Sequence, residues 1–173
     1  IIVGALPLIS TLLIALIPSK STELIKRAAF GATLVIAGVS IFLATGFDKS
    51  VTGMQYVQSN TWIAAFNINF ALGIDGISLV LILLSTILVP IVILATWHES
   101  DLGRWSSKSF YILILALETL MIGVFAATDL FLFYVFFEAM LIPIYFLIGG
   151  YGTGNKSAAA VKFLLYSLFG GLL

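Results

Sequence analysis

Three residues able to carry chemistry stand where charge is least welcome. In the stretch FYVFFEAMLIPIYF, Phe133 to Phe146, Glu138 has only apolar or aromatic neighbours for five positions on either side. Glu118 and Lys162 also interrupt long apolar runs. An acid at bilayer depth costs several kcal/mol, so it is paired, protonated or faces a wet cavity. The chemistry it offers is reversible proton binding, because burial favours the neutral form and an approaching cation favours the charged one. Other chemistries lack their residues. The chain has no cysteine, which removes disulfides, thiolate metal sites and iron–sulfur ligation. Its single histidine, His98 in HES, cannot complete an H-E-x-x-H zinc site. No cofactor or metal is expected in this chain. The formal net charge of zero gives no basic patch for nucleic acid.

The elements that must hold these residues follow from hydrophobicity. Of 173 residues, 61% are hydrophobic and 9% charged, and a soluble domain needs far more polar surface than this. Apolar runs recur at close to the twenty residues a helix needs to cross a bilayer. The sequence therefore predicts an all-α integral membrane protein, a single membrane domain over residues 1–173. About six spans are expected, near 1–17, 28–46, 76–97, 109–128, 130–149 and 158–173. The chain starts without Met and ends inside an apolar run, so it reads as part of a larger protein with the last span incomplete. The first run lacks a basic flank and a small-residue cleavage site, and reads as a span rather than a signal peptide.

Lysine and arginine orient the spans. The first loop carries Lys20, Lys26 and Arg27, the second Lys49, the third Arg104 and Lys108, the fourth none, and the fifth Lys156. Odd loops hold six and even loops one, which places the odd loops in the cytoplasm and the N-terminus on the other side. The second loop, Phe47 to Asp75, is the longest. Trp62, Ala64, Phe66, Ile68, Phe70 and Leu72 alternate there with polar positions including Asn67 and Asn69, predicting a short strand on the outer surface. Asp75 and Asp129 precede apolar helices and read as N-caps. GYGTG, Gly150 to Gly154, follows a membrane helix rather than a strand, so it reads as a connector and not a nucleotide loop. Asn155-Lys156-Ser157 fits a glycosylation pattern but falls on the cytoplasmic side.

Depth can be compared residue by residue. Glu118 lies nine residues beyond Ser109 and Glu138 eleven before Gly149, both roughly 14–16 Å from the cytoplasmic ends. They are also ten residues to either side of Thr128. Spans four and five, joined by a short turn, are antiparallel neighbours, so the two acids share one level. Facing each other, they would resist double ionisation and could share a proton. The bland alternative is an interhelical hydrogen bond by a neutral Glu. Lys162 is only four residues into span six, roughly 6 Å deep, where snorkelling to the interface competes with function. Pro143 and Pro90 leave the carbonyls of Ala139 and Thr86 without their helical partners, and the first of these lies beside Glu138.

The run DLFLFYVFFEAMLIPIYFLIGGYG, with GIDGISLVLILL upstream and AAAVKFLLYSLFGG downstream, resembles the antiporter-like subunit M family of bacterial proton-pumping NADH:quinone oxidoreductase, respiratory complex I. The sister subunits L and N share the acid-bearing helix, but EAMLIPIYFLIG with Pro143 resembles M rather than L. The resemblance implies a fourteen-helix fold with two inverted five-helix repeats, of which this chain supplies helices one to five and part of six. It implies that Glu138 is a key protonatable residue, coupled to a lysine on a seventh helix past Leu173. Lys162 matches a lysine often found at the start of helix six, and Glu118 fits an LE pattern of some bacterial relatives. Glu138, Glu118 and Lys162 are thus the candidate residues for proton translocation. No flavin, iron–sulfur cluster or NADH site is implied. NADH and quinone would be handled by other subunits, with L-like and N-like subunits and lipid as neighbours, in the bacterial plasma membrane. The rival readings are a subunit of a multi-subunit sodium/proton antiporter and a structural membrane scaffold.

Overall fold

The computed structural model describes residues 2–48, 50, 51, 53–98 without 67, and 103–172, apart from the side chains of Ile2 and Phe66. Expectations that fall on Ile1, Lys49, Asn67, Glu99 and Leu173 lie outside the described residues.

The described residues form six α-helices: α1 (Ile2–Leu16), α2 (Thr22–Thr45), α3 (Gly76–Ala95), α4 (Ser107–Ala126), α5 (Leu130–Tyr151) and α6 (Lys156–Leu172). Four of them, α2 to α5, are long and apolar enough to cross a membrane. The first and last of the expected spans correspond to α1, apolar with 15 residues, and α6, with 17, each at an end of the described chain; the sixth span was expected to be incomplete. The second span begins at Thr22, not near residue 28, because its charges are accommodated within the helix. Glu23 lies 3.9 Å from Lys26 and 4.0 Å from Arg27, at the i+3 and i+4 spacings that stabilise a helix. Lys26 is buried, its ammonium 5.9 Å from the Trp97 ring centroid.

The interior is not the greasiest part of the molecule. Leu16, Phe42, Ile77, Leu130 and Tyr166 are exposed, while Thr33, Ser40, Ser85, Thr86 and Glu118 are buried. This is how membrane helices pack, with small and polar residues between them and large apolar ones toward lipid. α4 is the hub, packing against α1, α2, α3 and α5, whereas α6 packs on α5. One buried cluster joins Ile14, Ile25, Ala29, Ile36 and Ile93 to Tyr111, Ile114 and Leu115 of α4. A second joins Val3 and Ile82 to Ile122 and Ala126.

The long second loop is a hairpin, not the single strand its alternation suggested. β1 (Gln55–Ile63) and β2 (Ile68–Ile74) pair antiparallel around a 3-10 turn at Ala64–Phe66. The alternating pattern ran through the turn, and burial does not alternate within either strand: β1 is exposed over most of its length and β2 is half-buried along it. Tyr56, at φ 54°, sits at the first irregularity in the register. The hairpin is pinned to the α4–α5 turn: Leu72 bridges Ala127, and the Thr128 N–H donates to the Ala71 carbonyl at 3.0 Å.

Both expected N-caps are present. Asp75 accepts from the Ser78 N–H at 2.7 Å. Asp129 accepts from Phe131 and Leu132 at 2.9 and 3.1 Å, and from the Asn69 N–H of β2 at 3.3 Å. Lysines close helix C-termini: Lys108 donates to the carbonyls of Ala15 and Ile17 at 2.7 and 2.8 Å, a favourable place for positive charge.

The Leu132, Asn69 and Phe131 N–H groups hold the Asp129 carboxyl below the usual carboxylate range. A depressed folded-state value means its stabilisation is present above the unfolded value and is lost as pH falls through the folded one. Asp129→Ala is expected to lower thermal stability more than Asp75→Ala, because it frees three N–H groups rather than one and releases the hairpin. The excess should shrink as pH is lowered below the ordinary carboxylate range. Thermal melts of both variants across pH check this, and equal melts would contradict it.

Candidate proton site

Glu118 and Glu138 are placed by the same tight turn. Glu118 lies eight residues before the end of α4, and Glu138 eight residues after the start of α5. Each is about 12 Å of helical rise from the turn, so the shared level expected from the sequence is present.

Their directions differ. α4 meets α5 where Gly123 faces the Phe136 ring: a Cβ on Gly123 would lie 2.7–2.9 Å from that ring's atoms. At about 100° per residue, Glu118 points about 140° away from Gly123 around α4, and Glu138 about 160° away from Phe136 around α5. The two carboxylates therefore point away from their common seam. The face-to-face, proton-sharing pair is not what the chain forms, because the seam is occupied by the small Gly123 and the large Phe136.

Glu118 shares the α4 face of Tyr111, Leu115 and Ile122, which pack on α1, α2 and α3. It is fully buried, and neither carboxylate oxygen has a hydrogen-bond partner among the described residues. Glu138 turns toward α6. A Cβ built on Gly171 would lie 2.6 Å from its Oε1, so the absence of a side chain there makes room for the carboxylate. That Oε1 is buried and has no hydrogen-bond partner among the described residues, and Tyr134 stands one turn earlier on the same helix. Pro143 follows inside α5, which runs unbroken from Leu130 to Tyr151.

Lys162 is on an exposed position of α6, nine residues before Gly171 and so about 13–14 Å along the axis from the level of Glu138. No ion pair joins it to Glu138 among the described residues. α6 brings its Gly171, not its lysine, to the acid. Tyr134 and Gly171 were missed from sequence. A Y-x-x-x-E spacing on one helix face signals the first, and a glycine at the acid's depth on the next helix signals the second. Thr33 and Thr86, buried at the level of Glu118, were also missed, since isolated threonines in apolar helices carry no spacing signal. Among the described residues no group of His, Cys, Asp and Glu could hold a metal ion.

Comparison with known proteins bears on what these acids serve. The family model for the amino terminus of NADH-ubiquinone oxidoreductase chain 4 matches residues 5–125. A second, for the transmembrane region of NADH:quinone oxidoreductase and Mrp antiporters, matches residues 127–173. The chain belongs to the NADH-ubiquinone oxidoreductase chain 4 family. Over 96% of its length it is 41% identical to NADH-quinone oxidoreductase subunit M of Mycobacterium tuberculosis, covering 35% of that protein. It is 42% identical to NADH-ubiquinone oxidoreductase chain 4 of Arabidopsis thaliana, over 96% of this chain and 33% of the relative. It is 37% identical to F(420)H(2) dehydrogenase subunit M of Methanosarcina mazei, over 86% of this chain and 30% of the relative. The chain thus spans about a third of the length of the curated relatives it matches. The family places it in the membrane.

Two glycines of this chain 4 family member separate function from packing. In Gly171→Ala the new methyl meets only the flexible tip of Glu138, so the acid is displaced at little cost to folding. In Gly123→Ala it meets the Phe136 ring, and overpacking of this kind costs about 1–3 kcal/mol. Gly171→Ala is expected to accumulate at close to the wild-type level, and Gly123→Ala to accumulate poorly. Quantitative immunoblots of membranes check both, and equal loss in the two variants would contradict the difference in packing.

Proposed function

We propose that this chain is a proton-translocating membrane-arm subunit of an NADH:quinone oxidoreductase, in which quinone reduction elsewhere in the complex drives proton movement through Glu138. The observation that carries the reading is the Glu138 carboxylate. It lies at mid-membrane in α5 with a buried unpartnered oxygen, Tyr134 one turn away and Gly171 of α6 opening space beside it. A buried carboxylate holds its proton until positive charge approaches, then releases it. That alternation loads and unloads a proton without any redox centre in this chain.

NADH oxidation and quinone chemistry belong, in this reading, to other subunits, and the neighbours in the membrane are L-like and N-like antiporter subunits and lipid. A relative named for F(420)H(2) rather than NADH supports a part that is indifferent to the electron donor. The loop charges favour a bacterial plasma-membrane orientation with the N-terminus outside. Lys162 would tune the field along α6 from about 13–14 Å away in axial rise rather than pair with Glu138. A second reading, a subunit of a multi-subunit sodium/proton antiporter, is favoured by the family model that joins both systems over residues 127–173. Co-purification with flavin and iron–sulfur subunits, or without them, separates the two.

Glu138→Gln keeps the side chain's shape and removes its titration. It is expected to abolish proton pumping while the complex still assembles, measured by acidification of inverted vesicles beside blue-native gels. Full pumping by this variant would overturn the role of Glu138.

A further inference from the structure

We propose that Glu118, with Thr33 and Thr86, forms a second proton-holding site inside the α2–α3–α4 bundle, reached from the hairpin side through the cavity beneath the hairpin. The proposal stands on separate residues from the Glu138 reading and does not depend on it.

Three fully buried polar residues define a layer. Thr33 is eleven residues from the start of α2, Thr86 nine from the end of α3, and Glu118 eleven from the start of α4. All three are thus about 13–17 Å from the same end of the bundle, on helices that pack against one another. Each is 0% exposed.

What this layer offers is acceptors. The Thr33 hydroxyl donates to the Phe30 carbonyl at 2.9 Å, and the Thr86 hydroxyl to Ile82 and Leu83 at 3.0 and 3.2 Å. Thr119, beside Glu118, donates to Leu115 at 3.0 Å. With their protons committed to their own helices, these oxygens present lone pairs only. Pro90 has no N–H, so the Thr86 carbonyl lacks its helical donor and is one more acceptor. An ionised Glu118 would be a further acceptor among acceptors. A protonated Glu118 supplies the missing donor, and since none of the described residues bonds its oxygens, the bond would run through a bridging water.

Among the described residues no ion pair reaches Glu118, and the buried Lys26 lies about 10 Å of helical rise from the layer. α1, α3 and β2 carry no titratable residue. α2 carries Glu23, Lys26 and Arg27, all in its first two turns. On α4 itself Lys108 is ten residues away, bound to α1 carbonyls, and Tyr111 is two turns away. On α5, Glu138 turns to α6, and Tyr134, Tyr145 and Tyr151 complete the set.

The route is a cavity of about 570 Å³ between the hairpin, α1 and α4. Tyr56 and Gln58 of β1 line its hairpin end, and Gly4 of α1 lines its side. Ile82, Thr119 and Ile122 line its inner part. Ile82 and Ile122 are each one helical turn from Thr86 and Glu118, and Thr119 is next to Glu118 in the chain, so the cavity wall reaches the level of the layer. The cavity is lined mostly by apolar side chains, with Tyr56 and Gln58 of β1 and Thr119 of α4 as polar exceptions, a form that passes protons only when transiently wetted.

Infrared difference spectra of membranes carrying the assembled protein test this. At neutral pH, wild type minus Glu118→Gln is expected to show a protonated-carboxyl C=O band. The band should shift in D₂O, persist in Glu138→Gln, and exchange more slowly in Gly4→Leu, whose side chain would extend into the cavity. Absence of the band, failure to shift in D₂O, or unchanged exchange in Gly4→Leu would each overturn the proposal. Should Glu118→Gln fail to accumulate, Thr86→Val is expected to move the band to higher frequency by removing an acceptor, and an unmoved band overturns the role of the layer.

Discussion

Hydrocarbon offers a polar group nothing to bond to, so a chain in a membrane must satisfy its own backbone and side chains. Nearly every polar feature described above follows from that constraint. The hydroxyls of Ser10, Thr11, Ser40, Ser85 and Thr119 each donate to a carbonyl four residues earlier. Asp75 and Asp129 take up helix N-terminal N–H groups, and Lys108 takes up carbonyls at the end of α1. Against this background two side chains stand out. Among the described residues, the buried side-chain atoms left without a partner all belong to Glu118 and Glu138. A chain that satisfies its polar groups so thoroughly elsewhere leaves open the two that can change their number of protons.

The α4–α5 hairpin turns this chemistry into architecture. Its turn is short and anchored three ways to β2, through Leu72, Ala71 and Asn69. That anchoring fixes the relative heights of the two helices, and with them the heights of the acids. The Gly123–Phe136 contact then fixes their rotation, sending one acid into the α1–α4 bundle and the other toward α6. A bulkier residue at 123 would push α5 outward and lose both settings together.

Height was legible in the sequence and rotation was not. Counting residues from a turn gives depth, because helical rise is constant. Azimuth needs an amphipathic stripe, and helices such as LFLFYVFFEAMLIPIYFLIGGY are apolar on every side, so nothing in the string says which face meets a neighbour. The same limit hid Gly171, whose meaning lies only in the carboxylate opposite. α2 was read too short because Glu23, Lys26 and Arg27 look like loop charges until their mutual spacing and the Trp97 ring over Lys26 are seen. The hairpin was legible in part: the alternation marked extended chain at Ile68–Leu72, while the turn at Ala64–Phe66 carries neither Gly nor Pro to announce it.

Separate compartments do not make the acids independent. Adjacent helix axes lie about 8–10 Å apart, and side chains pointing away from the seam put the carboxylates somewhat farther than that. At roughly 17 Å and an effective dielectric near 20, two like charges repel by about 1 kcal/mol, a roughly fivefold bias. No hydrogen-bonded wire across the α4–α5 seam is needed for one acid to sense the other. In the proposed scheme a negative charge on the α6 side opposes a second one on the bundle side, and the turn that sets the acids' common height sets the strength of that opposition.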